Sequence, residues 1–492
     1  MTGEAHYERL SALDATFLGV EDRCSHMHIG SVGVFEAGPD AGHGGAVDLD
    51  RVRHLVSVAL DGVPRYRQRV ETMPVLGHSV WVDDASFNPH YHLRHTRLPL
   101  PGDERQLKRL AGRVMSQQLD RGKPLWETWF VEGLEGNRFA VISKVHHCMV
   151  DGVGGVEVTT ATMRVEPGLD PRLAERERPF VPRPAPSGRN LVLGELRHRL
   201  GGAVGFVSAV AGAVTKPRRA AQMVTGSIEG LVESVATGFR PASPTPLNVA
   251  IGPHRRFDWT AMDLATVKGV KARLGGTIND VVLAVVAGAM RRYLGGRGVD
   301  VDGLDFRAMV PVNLRAGYEG AGNRVASMVV RLPVDEPDPR RRLERVRRET
   351  DAVKHSHQID VARVIEDITD WTFTTLLSQT TRLAAVSQPF NLVVTNVPGP
   401  QFPLYFLGAR LLECYPLVPI FHNQALGIAL FSYDGRLFWG FNADWDAVPD
   451  LHDVVGAVDA EFRLLVTTAN LEDAGEQDAA TGEVTVQRRL QS

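Results

Sequence analysis

The stretch His146-His147-Cys148-Met149-Val150-Asp151-Gly152 sets two adjacent histidines at the end of an apolar run, with an Asp-Gly pair just beyond them. That run, 139–145 (FAVISKV), is rich in β-branched and apolar residues, the composition of a buried strand. Behind the histidines the chain turns glycine-dense at Gly152, Gly154 and Gly155, where backbone can approach other groups closely. A histidine at the lip of a core strand is well placed to be a general base, because its ordinary pKa, about 6.5, lies near working pH. One such histidine alone is more often a hydrogen-bonded structural residue; the complete spacing, HHxxxDG, carries more weight.

Working outward, the chain has 492 residues, enough for two domains or lobes rather than one ordinary core. It is 43% apolar and 23% charged, as a soluble globular protein is. A net charge of −3 supplies no basic field, so nucleic acid is not an expected partner. Cys24, Cys148 and Cys414 are few, odd in number and far apart, which argues against a disulfide framework and fits a reducing compartment. Cys148 inside the motif reads as a small apolar filler rather than a nucleophile. The opening residues carry charges and no apolar core, and no apolar run approaches the ~20 residues a spanning helix needs. The expectation is a cytoplasmic protein with no signal peptide and no transmembrane helix.

The pattern predicts a short helix or turn and then a strand over 10–36, a helix around Leu55, and an amphipathic helix over 104–119. Lys123-Pro124-Leu125-Trp126 introduces the strands that lead to the histidine motif. Between Arg176 and Arg189 the chain packs four prolines into a short span, a linker signal. Beyond it, 191–239 is Ala-, Gly- and Val-rich and reads as one or two helices. The second half restarts with Thr277 and Asp280 spaced as a capping pair before an apolar helix. Strands over 306–313 and 326–334, a charged helix over 340–354, a strand over 391–397 and a hairpin turned on Asp434-Gly435 follow. This divides the chain into 1–178, an N-terminal lobe with the motif; 179–246, a Pro-rich linker and helical connector; 247–469, a second lobe; and 470–492, a polar tail.

HHxxxDG, with every fixed position present, resembles the signature of acyltransferases and condensation enzymes built on the chloramphenicol-acetyltransferase-like fold. Further segments match the bacterial wax ester synthase/diacylglycerol acyltransferase branch: Leu13-Asp14 with Phe17, Pro124-Leu125-Trp126, Asn279-Asp280, Pro311-Val312-Asn313-Leu314-Arg315, Gly322-Asn323 before Leu332-Pro333, Asn396-Val397-Pro398-Gly399-Pro400 and Ser432-Tyr433-Asp434-Gly435. Each is weak alone, and their joint order makes chance agreement improbable. Asn313 departs from the pattern, standing where many relatives carry Ser; the exchange keeps a small polar group.

The resemblance implies an α/β fold with mixed sheets, in which two chloramphenicol-acetyltransferase-like lobes are joined by a helical crossover and flank an active-site channel. It implies acyl-CoA-dependent O-acyl transfer making neutral lipid: diacylglycerol to triacylglycerol, with wax esters from fatty alcohols alongside. His147 would be the general base and His146 a structural neighbour. Asp151 would hold the loop through an ion pair with an Arg that one sequence does not identify, and Gly152 would let backbone approach the thioester. Asn279 reads either as a polar group steadying the oxyanion or as a helix cap with no catalytic part. Acyl-CoA is a co-substrate, and no bound cofactor or metal is expected.

The connector carries no charge between Arg199 and Lys216, and bases flank that interval. It suits docking at an anionic membrane or lipid-droplet surface, with a helix packed between lobes as the slightly favoured alternative. Three rivals are weaker. His26/His28 and His90/His92 could begin a metal site, but adjacent histidines on a strand face opposite ways, which makes joint chelation by His146 and His147 awkward. Transfer to another hydroxyl or amine, as in polyketide-associated and condensation enzymes, is the runner-up reaction. A non-catalytic lipid-binding protein would be expected to have lost His147 or Asp151, and both are present.

Overall fold

The structure, a computed structural model, describes residues 7–37, 47–72, 79–149, 161–168, 170–187, 241–313, 325–354 and 389–470. Asp151, Gly152, the connector over 188–240 and the tail after Asn470 lie outside the described residues.

The first half runs β1 (Glu8–Arg9), α1 (Ala12–Val20), β2 (His28–Glu36), α2 (Leu49–Ala59), β3 (Gln68–Thr72), β4 (Ser79–Asp83), α3 (Pro89–His92), β5 (Leu93–Arg97), α4 (Glu104–Met115), β6 (Trp126–Leu134) and β7 (Arg138–His146). The second runs β8 (Arg255–Asp263), α5 (Leu264–Leu274), α6 (Ile278–Gly296), β9 (Arg307–Asn313), β10 (Val325–Arg331), α7 (Pro339–Lys354), β11 (Leu392–Pro398), β12 (Tyr405–Phe406), β13 (Ala409–Leu417), β14 (Leu426–Tyr433), β15 (Arg436–Asp444) and α8 (Leu451–Thr468). Each half carries a mixed six-stranded sheet, ordered β12-β13-β2-β7-β6-β5 in the first and β10-β9-β11-β14-β15-β8 in the second. A small sheet, β1-β4-β3, flanks the first.

Local chemistry explains most of these elements. The apolar run before the histidines is β7, buried along nearly its whole length between β2 and β6. Thr277 and Asp280 cap α6 reciprocally, and the helix behind them is buried from Asp280 to Leu294 almost without a break. Asp434 and Gly435 both adopt positive φ, 44° and 78°, as a two-residue hairpin requires. The helix expected over 104–119 stops at Met115. Lys144, fully buried on β7, takes the carbonyls of Val114 (3.2 Å) and Gln117 (3.0 Å), and this peels the last turn away.

Among the described residues a strand pairing crosses the two halves, and the isolated bridge Arg164↔Tyr405 does too. β13 belongs by sequence to the stretch 247–469, yet it hydrogen-bonds along β2 from Leu411↔Phe35 to Leu417↔Gly30 and completes the first sheet. It lies against β15 of the second sheet, where a Cβ on Gly440 would meet the Pro416 carbonyl oxygen at 1.8 Å. Only glycine permits that approach. Phe257, Trp259, Tyr433 and Phe438 from the second half accordingly join the apolar core of the first. Among the described residues no single helix is long and apolar enough to cross a membrane.

Candidate active site

Strand register assembles the site. β2 and β7 are antiparallel, and their pairing sets His28, the first residue of β2, opposite His146, the last of β7. The two rings meet edge to face at 6.2 Å. Both point their Nε2 at the carboxylate of Glu21, just past the end of α1, at 3.7 Å each. Arg121 grips that carboxylate from the other side, Nε to Oε2 at 2.8 Å, and also donates to the Leu18 carbonyl at 2.8 Å. Burial works against ionising Glu21, but His146 and Arg121 outweigh it, and the carboxyl ends below its usual range. His28 lies well below the ordinary imidazole value, chiefly through burial, with nearby Lys144 adding to the effect.

His147 breaks from the ladder into a short 3-10 turn, and its N–H donates to the Met27 carbonyl at 2.7 Å. The half-buried ring lies 4.0 Å from Phe17 of α1, so His147 is held by Phe17 within that helix and His146 faces Glu21 at its C-cap. The His147 Nδ1 is buried and has no partner in another of the described residues. Burial and then the neighbouring His146 lower the ring to about 4, against a small opposing pull from its own carbonyl. At neutral pH the imidazole is uncharged and free to accept a proton. His146 is anchored instead: its Nδ1 accepts from the Cys148 N–H at 3.2 Å, which places its own proton on Nε2, facing Glu21. Cys148 is buried, and burial drives its thiol well up, the behaviour of packing rather than of a nucleophile.

Asn279 is not the helix cap, since Thr277 takes that position. Its Oδ1 accepts from Asn396 of β11 at 2.6 Å, which leaves its own Nδ2 as the group able to donate. His26 gives its Nε2 to the Arg23 carbonyl (3.0 Å), and His92 stacks on Trp126 with its Nδ1 on that residue's carbonyl (2.8 Å). Glu21 and Arg121 escaped the sequence reading, and His28 entered it only in a possible metal pair, because their link to His146 is made by register and not by spacing.

Residues 10–282 match the family described as wax ester synthase/diacylglycerol acyltransferase catalytic domain, and residues 321–466 match its C-terminal domain. The chain belongs to the wax ester synthase/diacylglycerol acyltransferase family. It is therefore an acyltransferase. Two relatives from Mycobacterium tuberculosis, both named as diacylglycerol O-acyltransferases, are 32% and 33% identical; the matches cover 96% and 94% of this chain and 93% and 100% of theirs. The solved wax ester synthase/diacylglycerol acyltransferase of Marinobacter aquaeolei is 26% identical with a TM-score of 0.65, over 94% of this chain and all of that one. The starter condensation domain of rhizomide synthetase, 14% identical with a TM-score of 0.56 over 95% of each chain, shares the fold. The wax ester synthase/diacylglycerol acyltransferase fold, with two chloramphenicol-acetyltransferase-like lobes, is thus the architecture of this chain.

Proposed function

We propose that the chain transfers a fatty acyl group from acyl-CoA to the hydroxyl of diacylglycerol, giving triacylglycerol and CoA, and to fatty alcohols, giving wax esters. The observation that carries this reading is the uncharged, half-buried His147 ring beside a second histidine anchored by Glu21, in a chain of this family. His147 takes the hydroxyl proton as the alcohol oxygen bonds to the thioester carbonyl carbon. The tetrahedral intermediate collapses, the C–S bond breaks, and the imidazolium returns its proton to the departing thiolate. A positioned base contributes about 10²–10⁴-fold. Asn279 is proposed to donate its Nδ2 to the developing oxyanion, held in that orientation by Asn396. The reaction takes place in a channel between the lobes, with Asp151 and Gly152 shaping the loop behind the base.

His147→Ala is expected to lower kcat by at least about 10²-fold with a long-chain acyl-CoA while leaving the fold intact by circular dichroism. Near-wild-type turnover would remove the base assignment. Offering diacylglycerol, a fatty alcohol and an amine with one acyl-CoA identifies the acceptor, and a preference for the amine would overturn the neutral-lipid reading.

We also infer that the uncharged interval between Arg199 and Lys216, with its flanking bases, seats the protein on an anionic lipid surface and so admits a water-insoluble acceptor. Flotation with phosphatidylglycerol liposomes, but not with phosphatidylcholine alone, is the expected result. Equal flotation with neither would return the interval to a packing role.

A further inference from the structure

A cleft of about 560 Å³ opens between α4 of the first half and the start of β8 in the second. Ligand sites commonly have volumes of this order. Arg97, Arg109, Arg113 and Arg255 line it together with His254 and Trp445, and no carboxylate is among its lining residues. Arg109 and Arg113 stand four residues apart on α4, so they share one face. Both are exposed, and neither has a carboxylate partner among the described residues.

The floor of the cleft is built. Arg255 is 3% exposed and donates to the carbonyls of Gly252 (2.8 Å), His254 (3.0 Å) and Cys24, while the nearest carboxylate, Asp444, stays 3.9 Å away. Its backbone N–H is tied to the Ser116 Oγ at 2.8 Å, which locks the end of α4 to β8. Trp445 is 43% exposed although Arg256 stacks on it at 3.7 Å. Exposed guanidiniums on α4, above the anchored Arg255 and beside an exposed indole, suit a ligand with phosphates and an aromatic base.

Position connects this cleft to the reaction. Arg255 holds the Cys24 carbonyl, in the segment 21–28 that begins at Glu21, which faces His146, and includes Met27, whose carbonyl takes the His147 N–H. We propose that the cleft binds the phosphate-bearing nucleotide end of the acyl-CoA donor, with Arg109 and Arg113 on the phosphates. The assignment rests on the acyl-CoA reading given above.

The test compares donors that differ only in that end. For Arg109→Glu/Arg113→Glu, kcat/KM should fall at least about tenfold further with palmitoyl-CoA than with palmitoyl-pantetheine, which lacks the nucleotide and its phosphates. The milder pair Arg109→Ala/Arg113→Ala should show the same order with a smaller gap. Calorimetric titration with adenosine 3′,5′-bisphosphate needs no turnover: binding should be seen for the wild-type protein, weaken with salt, and be lost in the charge-reversed variant. Equal losses with both donors, or bisphosphate binding untouched by the substitutions, would overturn the proposal. So would loss of sedimentation with phosphatidylglycerol vesicles while bisphosphate binding persists, which would reassign the arginines to a lipid headgroup. Bisphosphate binding by a wild-type protein inert toward every acyl-CoA would leave the cleft standing and fail the transferase reading alone.

Discussion

Burial holds the His147 imidazole at about 4, and the adjacent His146 adds to the shift in the same direction. A general base works in its unprotonated form. The wild-type kcat/KM should therefore keep its plateau as pH falls through the ordinary imidazole value of about 6.5 and turn down only at about pH 4. A pH–rate profile checks this, and an acid limb at the ordinary value would mean that the reacting group is not this ring. The histidine proposed as the base was legible in the motif. Its support was not. Glu21 lies far from His146 along the chain, and only the end-to-end pairing of β2 with β7 brings His28, His146 and that carboxylate together.

Among the elements, α6 and the β14–β15 hairpin were legible because the signals that define them are local: a reciprocal cap in one case, two adjacent positive-φ residues in the other. β13 was not. The sequence reading placed no strand over 409–417, and the one found there pairs with β2 of the other half. Gly440 permits that exchange by letting β15 approach the Pro416 carbonyl. Gly440→Ala should push the two strands apart and destabilise the protein by about 3 kcal/mol, read as a lower urea midpoint. An unchanged midpoint would mean that the strands can separate freely there. The exchange also explains why one core cluster draws on both halves of the chain, so the two lobes are unlike a pair of independently closed domains.

At the scale of the whole molecule, the buried histidines make stability depend on pH. His92 and His147 both lie at about 4 in the folded chain, chiefly through burial, and His28 and His26 are lowered for the same first reason. Unfolding returns each to about 6.5. Between the two values the unfolded chain binds more protons, so stability falls as pH drops from about 6.5 toward about 4. Fully buried His92 alone accounts for about 3 kcal/mol across that window. Urea unfolding should accordingly give a lower midpoint at about pH 4.5 than at neutrality; equal midpoints would show that these rings are protonated in the native state. Sequence by itself determined the strand before the histidines, the capped helix, the hairpin and the candidate histidine pair, since each is written in neighbouring residues through periodicity, turn chemistry or a contiguous motif. Tertiary structure alone decided the carboxylate behind His146, the strand shared between halves and the arginine-lined cleft, since these depend on contacts between residues far apart in the chain, whose pairing no local pattern encodes.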